Sequence, residues 1–184
     1  MKIPSLQPRP AAPCREMVQA VLLQNLDSMY STANRLTGRA DLAEDLVQEA
    51  ARKTLEAIPE LKDGRNLRAW IFRILLNGIR DQLRRKKLWE DVEADDEKLD
   101  LHVVPEAIAV ATAEDVRHAL SSLPPDTRSL TILIDIEEFT IAEAAGILGI
   151  PPGTAASRLS RARRELRGLL RSYESGSSRS AGKP

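Results

Sequence analysis

Apolar residues recur along this chain at steps of three and four with polar residues between them, and no segment keeps the period-two alternation of a half-buried strand. The pattern predicts an all-α protein. Val18, Val21, Leu22, Leu26, Met29 and Ala33 mark a first helix from about Arg15 to Leu36, ended by Gly38. Asp41, with Glu44 three residues on, reads as the capping-box-like start of a second helix that runs to Ile58, before Pro59. A third spans about Asn66 to Leu88, with Trp70, Ile71, Ile74, Leu75 and Leu83 turned to a core. Its Arg73, Asn77, Arg80 and Arg84, at steps of four, three and four, line another face. Periodicity is weak from Trp89 to Thr112. A helix from Ala113 to Leu123 then stops at Pro124 and Pro125, and Asp126 or Thr127 caps the next, which runs to about Ile136.

From Thr140 to Arg171 the chain reads TIAEAAGILGIPPGTAASRLSRARRELRGLLR. Ile141, Ala144, Ala145 and Leu148 form the apolar side of a short helix, and Gly149 is the residue able to take the left-handed conformation that closes it. Thr154 is placed to cap a second helix. There Ala155, Leu159, Ala162, Leu166 and Leu169 make a buried stripe, leaving Ser157, Ser160, Arg161 and Arg164 on the opposite side. An arginine-rich amphipathic helix alone is also what an ordinary solvated face looks like. Preceded by a small-residue helix and a glycine-containing turn, it has the form of a helix-turn-helix whose second helix enters a DNA major groove.

Composition adds two domains to this picture. A chain of 184 residues with 3% aromatics and 29% charged residues suits small Leu, Ile, Val and Ala cores. The expected division is a Pro-rich flexible leader at 1–14, a helical domain at 15–88, an acidic linker at 89–112, a helix-turn-helix domain at 113–173 and a small, polar, disordered tail at 174–184. Formal net charge is zero, but the charges are segregated. Arg80 to Lys87 holds five basic residues and one acid, Glu90 to Asp100 seven acids and one lysine, and Arg158 to Arg171 six arginines and one glutamate. Two basic surfaces flanking an acidic tether point to a nucleic-acid partner touched at two places. Fully extended, the 24 linker residues reach roughly 80 Å, the length of some two turns of B-DNA.

Several function classes are excluded. The single Cys14 allows no internal disulfide or cysteine metal cluster, and His102 and His118 are too few for a histidine site. There is no Gly-rich phosphate loop, no Ser-His-Asp or Cys-His set and no metal-ligand spacing, so neither enzyme activity, cofactor nor metal is expected. Glu44 and Asp45 are neighbours on a helix and diverge by about 100°, which is no catalytic dyad. The start lacks an apolar signal region and no run is long enough to cross a bilayer, so a cytoplasmic protein without membrane insertion is expected.

Three segments carry a resemblance: AEDLVQEA at Ala43 to Ala50, LRAWIFRILLNGIRDQLRR at Leu67 to Arg85, and LSSLPPDTRSLTILIDIEEFTIAEAAGILGIPPGTAASRLSRARREL at Leu120 to Leu166. In this order and at these separations the chain, from about residue 16 to 172, resembles the extracytoplasmic-function (ECF) class of bacterial RNA polymerase sigma factors. The resemblance implies a region 2-like helical bundle and a region 4-like helix-turn-helix domain. It also implies a protein that binds core polymerase, directs it to specific promoters and promotes strand opening. Its partners would be core RNA polymerase (the clamp coiled coil of the largest subunit, and the flap), promoter DNA and an anti-sigma factor.

Residue by residue, the resemblance puts Leu42, Asp45, Leu46, Gln48 and Glu49 against the polymerase clamp. Asp45, Gln48 and Glu49 fall at i, i+3 and i+4 and so share one helix face; by itself such a trio is ordinarily a solvated acidic surface. The −10 element falls to Arg73, Asn77, Arg80, Arg84 and Arg85, and a flipped base to the loop residues Lys62, Asp63, Gly64, Arg65 and Asn66. Asn77, with Asp81, serves equally well as a pair that fixes neighbouring arginines. The −35 element falls to Thr154, Ser157, Arg158, Ser160, Arg161 and Arg164. The chain departs from the family at Ala156, where a basic residue is common, at the small Ala144 and Ala155, and at Gly146 inside a helix. These departures predict weak binding of the −35 element or a different sequence read. Two other readings remain open here: a helix-turn-helix regulator that acts without polymerase, and a sigma-like decoy that sequesters an anti-sigma factor.

Overall fold

The computed structural model describes residues 13–61, 64, 66–87 and 113–180, and among these there are helices and turns but no strand. The expected linker, most of the leader and residues 181–184 lie outside the described residues. The first module comprises α1 (Arg15–Gln24), α2 (Leu26–Thr37), α3 (Ala40–Glu56), a 3-10 turn (Ile58–Glu60) and α4 (Leu67–Lys87). The second comprises α5 (Ala113–Ser122), α6 (Pro125–Thr131) continued by a π-helical turn (Ile132–Ile136), α7 (Ile141–Leu148) and α8 (Pro152–Ser180).

Several boundaries differ from the sequence expectation, each for a local reason. The single first helix is two, because the Asn25 side-chain amide donates to Val21 O at 2.7 Å and its backbone leaves the helical region at φ −110°. Asparagine offers the backbone an alternative to the helical ladder. Asp41 does not cap α3; it lies in the first turn and accepts Nε of Arg39 at 3.2 Å, which holds its carboxyl below the usual range. Neither Asp126 nor Thr127 caps α6: Pro124 stands at the N-cap and the helix starts on Pro125, a first-turn position that the proline ring suits. In the same way α8 begins at Pro152, so Thr154 is inside the helix, where its carbonyl accepts Ser157 Oγ at 3.0 Å. Once nucleated, α8 propagates to Ser180, past the Tyr173 where polar composition predicted its end. Gly38 (φ 72°) and Gly149 (φ 69°) do close α2 and α7 in the left-handed conformation.

The two modules are packed on each other rather than apart on a tether. Leu22, Met29, Ile71, Phe72, Leu75, Leu76 and Ile79 of the first belong to one buried cluster with Leu130, Leu133, Phe139, Ile147 and Leu148 of the second. The helix that makes this possible is α4. At 100° per residue, its apolar positions from Trp70 round to Leu76 sweep an arc of about 240°, more than twice what one packing surface needs. One edge meets α3, where a Cβ added at Gly78 would lie 3.6 Å from Leu46 Cδ2. The other edge carries Phe72, edge-on to Phe139 at 5.0 Å between centroids and 70° between planes. Phe72, Leu76 and Ile79, absent from the expected core, are all buried. A smaller cluster of Leu120, Leu123 and Ala162, with Val116 and Leu166 against it, anchors α5 on α8.

Gly146 sits exposed in the middle of α7 with no atom within 4 Å of an added Cβ. Gly146→Ala is therefore expected to raise stability by about 0.5–1 kcal/mol. A urea melt reads this as a higher midpoint at unchanged slope, and a lower midpoint would contradict it.

Candidate polymerase-binding and DNA-binding surfaces

On α3, the expected polymerase face is assembled as the spacing required, with Asp45 and Gln48 exposed and Leu42 and Leu46 half-buried beneath them. Glu49 differs from its neighbours. Arg52 donates to it through Nε at 2.8 Å and Nη2 at 2.6 Å, and Lys53 Nζ lies 3.3 Å away. These cations, Arg52 foremost, pull its carboxyl down to about 2. Any basic partner must compete with Arg52 for Glu49, so Asp45 is the carboxylate readier for exchange.

Along α4, Arg73, Asn77 and Arg84 are exposed on one face, with Asp81 beside them. A cleft of about 460 Å³ opens next to Asn77 and Asp81, floored by Ile74 and Gly78 and walled by Lys53 and Glu56 of α3. Arg80 is not turned to solvent with the others. Its Nη1 donates to Leu148 O and its Nη2 to Asp126 Oδ1, both at 3.3 Å and both in the second module. Arg85 lies on α4, with its side chain outside the described residues. In the preceding loop Lys62, Asp63 and Arg65 also lie outside them. Gly64 permits close approach, but to the chain itself, since a Cβ there would meet Pro13 Cβ at 3.0 Å. Asn66 is used structurally: Oδ1 accepts Ala69 N at 3.1 Å at the head of α4, and Nδ2 donates to Glu143 Oε1 at 2.8 Å.

The helix-turn-helix is built by α7 and α8. Thr140 and Glu143 form a capping box, Thr140 N donating to Glu143 Oε2 at 2.9 Å and Glu143 N to Thr140 Oγ1 at 3.2 Å. The T-x-x-E signature was readable in TIAE. Hydrogen bonds from Thr140, then from Asn66, hold the Glu143 carboxyl below the usual range. On α8, Ala155, Leu159 and Ala162 are buried and Leu166 and Leu169 half-buried, while Ser157, Ser160, Arg161 and Arg164 are all exposed and Arg158 is half-buried. Arg161 Nε lies 3.4 Å from Ser157 O, which lays the guanidinium along the helix beside the serine. Arg163 instead pairs with Asp135 of the π-helical turn, bracing α8 from behind.

Between the modules lies a polar cluster that no local pattern announced. Glu137 is 4% exposed. It accepts Thr32 Oγ1 at 2.9 Å, the Ser28 hydroxyl and Arg68 Nη2 at 3.1 Å. Arg68 in turn donates Nη1 to Glu137 O at 2.8 Å and Nε to Asn25 Oδ1 at 2.9 Å, and lies over the Phe139 ring at 4.2 Å. The π-helical turn puts Glu137 there: Glu137 N bonds Ile132 O at 3.0 Å, Glu138 takes φ 58°, and Phe139 N returns to Leu133 O at 2.9 Å. Among the described residues, no group of acidic, histidine or cysteine side chains has the makings of a metal site, and no helix is long and apolar enough to cross a membrane.

Two family models match this architecture, sigma-70 region 2 over residues 21–88 and sigma-70 region 4 over residues 113–166. The chain is 37% identical over 159 residues to the ECF RNA polymerase sigma factor EcfG of Rhodopseudomonas palustris, covering 86% of this chain and 87% of that one. It belongs to the ECF sigma factors. SigW of Bacillus subtilis, another ECF RNA polymerase sigma factor, is 31% identical over 157 residues, covering 79% of this chain and 84% of SigW. Among solved structures, the sigma factor RpoE in complex with the anti-sigma factor NepR, from Bartonella quintana, superposes with a TM-score of 0.72 at 34% identity. That match covers 86% of this chain and 98% of RpoE. In this sigma factor, region 2 thus corresponds to α2–α4 with the end of α1, and region 4 to α5–α7 with the first half of α8.

Proposed function

We propose that this sigma factor binds core RNA polymerase, directs it to specific promoters and promotes DNA opening at initiation, acting as a DNA-binding regulator rather than an enzyme, in the bacterial cytoplasm. The observation that carries the reading is the ordered pair of sigma regions, each ending in an exposed basic face: Arg73, Asn77 and Arg84 on α4, and Ser157, Ser160, Arg161 and Arg164 on α8. The α4 face, with Arg80, Arg85 and the loop Lys62, Asp63, Gly64, Arg65 and Asn66, takes the −10 element. The α8 face, with Thr154 and Arg158 at its edge, takes the −35 element, while Leu42, Asp45, Leu46, Gln48 and Glu49 take the polymerase clamp. The complex of RpoE with NepR supports an anti-sigma factor as a further partner.

Run-off transcription with purified core polymerase on a randomised promoter library tests the whole reading. Enrichment of two sequence elements at fixed spacing is the expected result, and absence of any transcript above core alone refutes it. On the selected promoter, Arg161→Ala should cost about 1–3 kcal/mol of discrimination between matched and scrambled −35 sequences, whereas Arg84→Ala should weaken binding almost uniformly and flatten its salt dependence. Indistinguishable losses for the two would contradict the division between base and phosphate contacts.

A further inference from the structure

Beside the far end of α4 a cavity of about 740 Å³ opens to solvent, walled by the aliphatic side chains of Leu36, Leu83, Leu148 and Ile150. Arg80, Arg84 and Arg128 line the same space, and Asp126 is its one acid among the described residues. The charges do not cancel. Asp126 is paired with Arg80 at 3.3 Å. Arg84 is exposed and makes no hydrogen bond or ion pair among the described residues. Arg128 is half-buried, and its Nη2 donates only to main-chain carbonyls, Ser121 O at 2.5 Å and Leu123 O at 3.2 Å. Its Nε is buried without an acceptor. Buried donors are almost always matched in folded proteins, so an unmatched one beside two uncancelled cations is accounted for by an anion that the site is built to receive.

The lining also sets the body of the ligand. Four aliphatic walls beside two available guanidinium groups suit one acidic head on a short apolar chain, and the volume is that of a small-molecule site. A peptide helix fits poorly: at a diameter of about 10 Å and a pitch of ~5.4 Å each turn fills roughly 420 Å³, so fewer than two turns would enter. DNA phosphates carry no apolar part to cover the walls. We propose that this cavity binds a small amphipathic acid, a free medium-chain carboxylate, with its head on Arg84 and Arg128 and its chain along Leu36, Leu83, Leu148 and Ile150. In the sigma-factor reading Arg84 also meets promoter phosphates, so bound acid and −10 DNA compete for it and each weakens the other's binding. That consequence rests on the reading, whereas the binding itself does not.

Calorimetric titration of the full chain with sodium octanoate tests the site, with octan-1-ol as the uncharged counterpart. We expect one octanoate per chain, bound on the order of tenfold more tightly than octan-1-ol. From hexanoate to decanoate, affinity should rise about two- to fourfold per methylene. Arg84→Gln, at an exposed position, should weaken octanoate about tenfold and leave octan-1-ol unchanged. Leu83→Glu, which puts a carboxylate into the cavity, should abolish octanoate binding, and a thermal melt checks that both variants fold. Equal affinity for octanoate and octan-1-ol, no dependence on chain length, or unaltered octanoate binding in Arg84→Gln overturns the site. So does the absence of heat with every acid, the result expected if a segment of protein fills the cavity instead. On an oligonucleotide of the selected −10 sequence, octanoate should weaken binding by wild type and not by Arg84→Gln; an unchanged wild-type affinity overturns the competition. A protein that binds octanoate as expected but gives no transcript on any promoter defeats the sigma-factor reading and leaves the binding site standing.

Discussion

Phe72→Ala should cost about 3–5 kcal/mol of stability, the largest loss expected from any single truncation in this protein. Phe72 is fully buried on α4. It is shared by two packing surfaces, the core of the first module beneath it and Phe139 of the second at 5.0 Å, so the cavity left by its ring is walled by both. Arg68, 5.2 Å from the Phe72 ring centroid, loses an aromatic neighbour as well. Phe139→Ala removes the partner ring and the closer aromatic contact of Arg68, at 4.2 Å, and should cost less because Phe139 is buried slightly less completely than Phe72. The double variant then reveals the coupling of the two rings, expected at about 0.5–1.5 kcal/mol for an edge-to-face pair. Chemical denaturation of the four proteins measures this. A Phe72→Ala loss no greater than that of an exposed position would mean that α4 is not the hub of the fold.

The second large effect is on partner binding. Asp45→Ala with Glu49→Ala should weaken association with core polymerase by about 10–100-fold, or ~1.4–2.8 kcal/mol, with little change in stability because both side chains lie at the surface. Asp45→Ala alone should account for most of the loss. Glu49 is already engaged by Arg52 and Lys53, and part of what it gains from a partner is cancelled by what it gives up at home. Competition of labelled wild type against each variant for core polymerase provides the numbers. Equal affinity of wild type and double variant would remove α3 from the polymerase contact.

Local chemistry was legible where near neighbours decide it. The exposed row on α8, its buried Ala155–Leu159–Ala162 stripe and the left-handed Gly149 follow from helical spacing and from glycine's conformational freedom, and all are observed. The break at Asn25 leaves no trace in the sequence pattern, because a continuous apolar rhythm runs across it and the competing bond from the Asn25 side chain to Val21 O carries no signature in periodicity. On α4 helical spacing points Trp70, Ile71, Ile74, Leu75 and Leu83 to a core, which one packing surface would satisfy. The breadth of its apolar arc, extended by the buried Phe72, Leu76 and Ile79, is the signal in the sequence that a second surface rests there.

Helix type, order and faces, and with them membership of the ECF sigma factors, were determined by the sequence itself, since each depends on residues a few positions apart or on motifs in fixed order. Only the tertiary structure decided that the modules close on one another, that Arg80 and Asn66 turn inward, and that Glu137 is buried against Ser28 and Thr32, pairs separated by 109 and 105 positions. A contact across that distance in the chain leaves no period to read. It exists because the π-helical turn re-aims one carboxylate and because α4 exposes apolar surface on both sides, and those two circumstances meet only once the chain is folded.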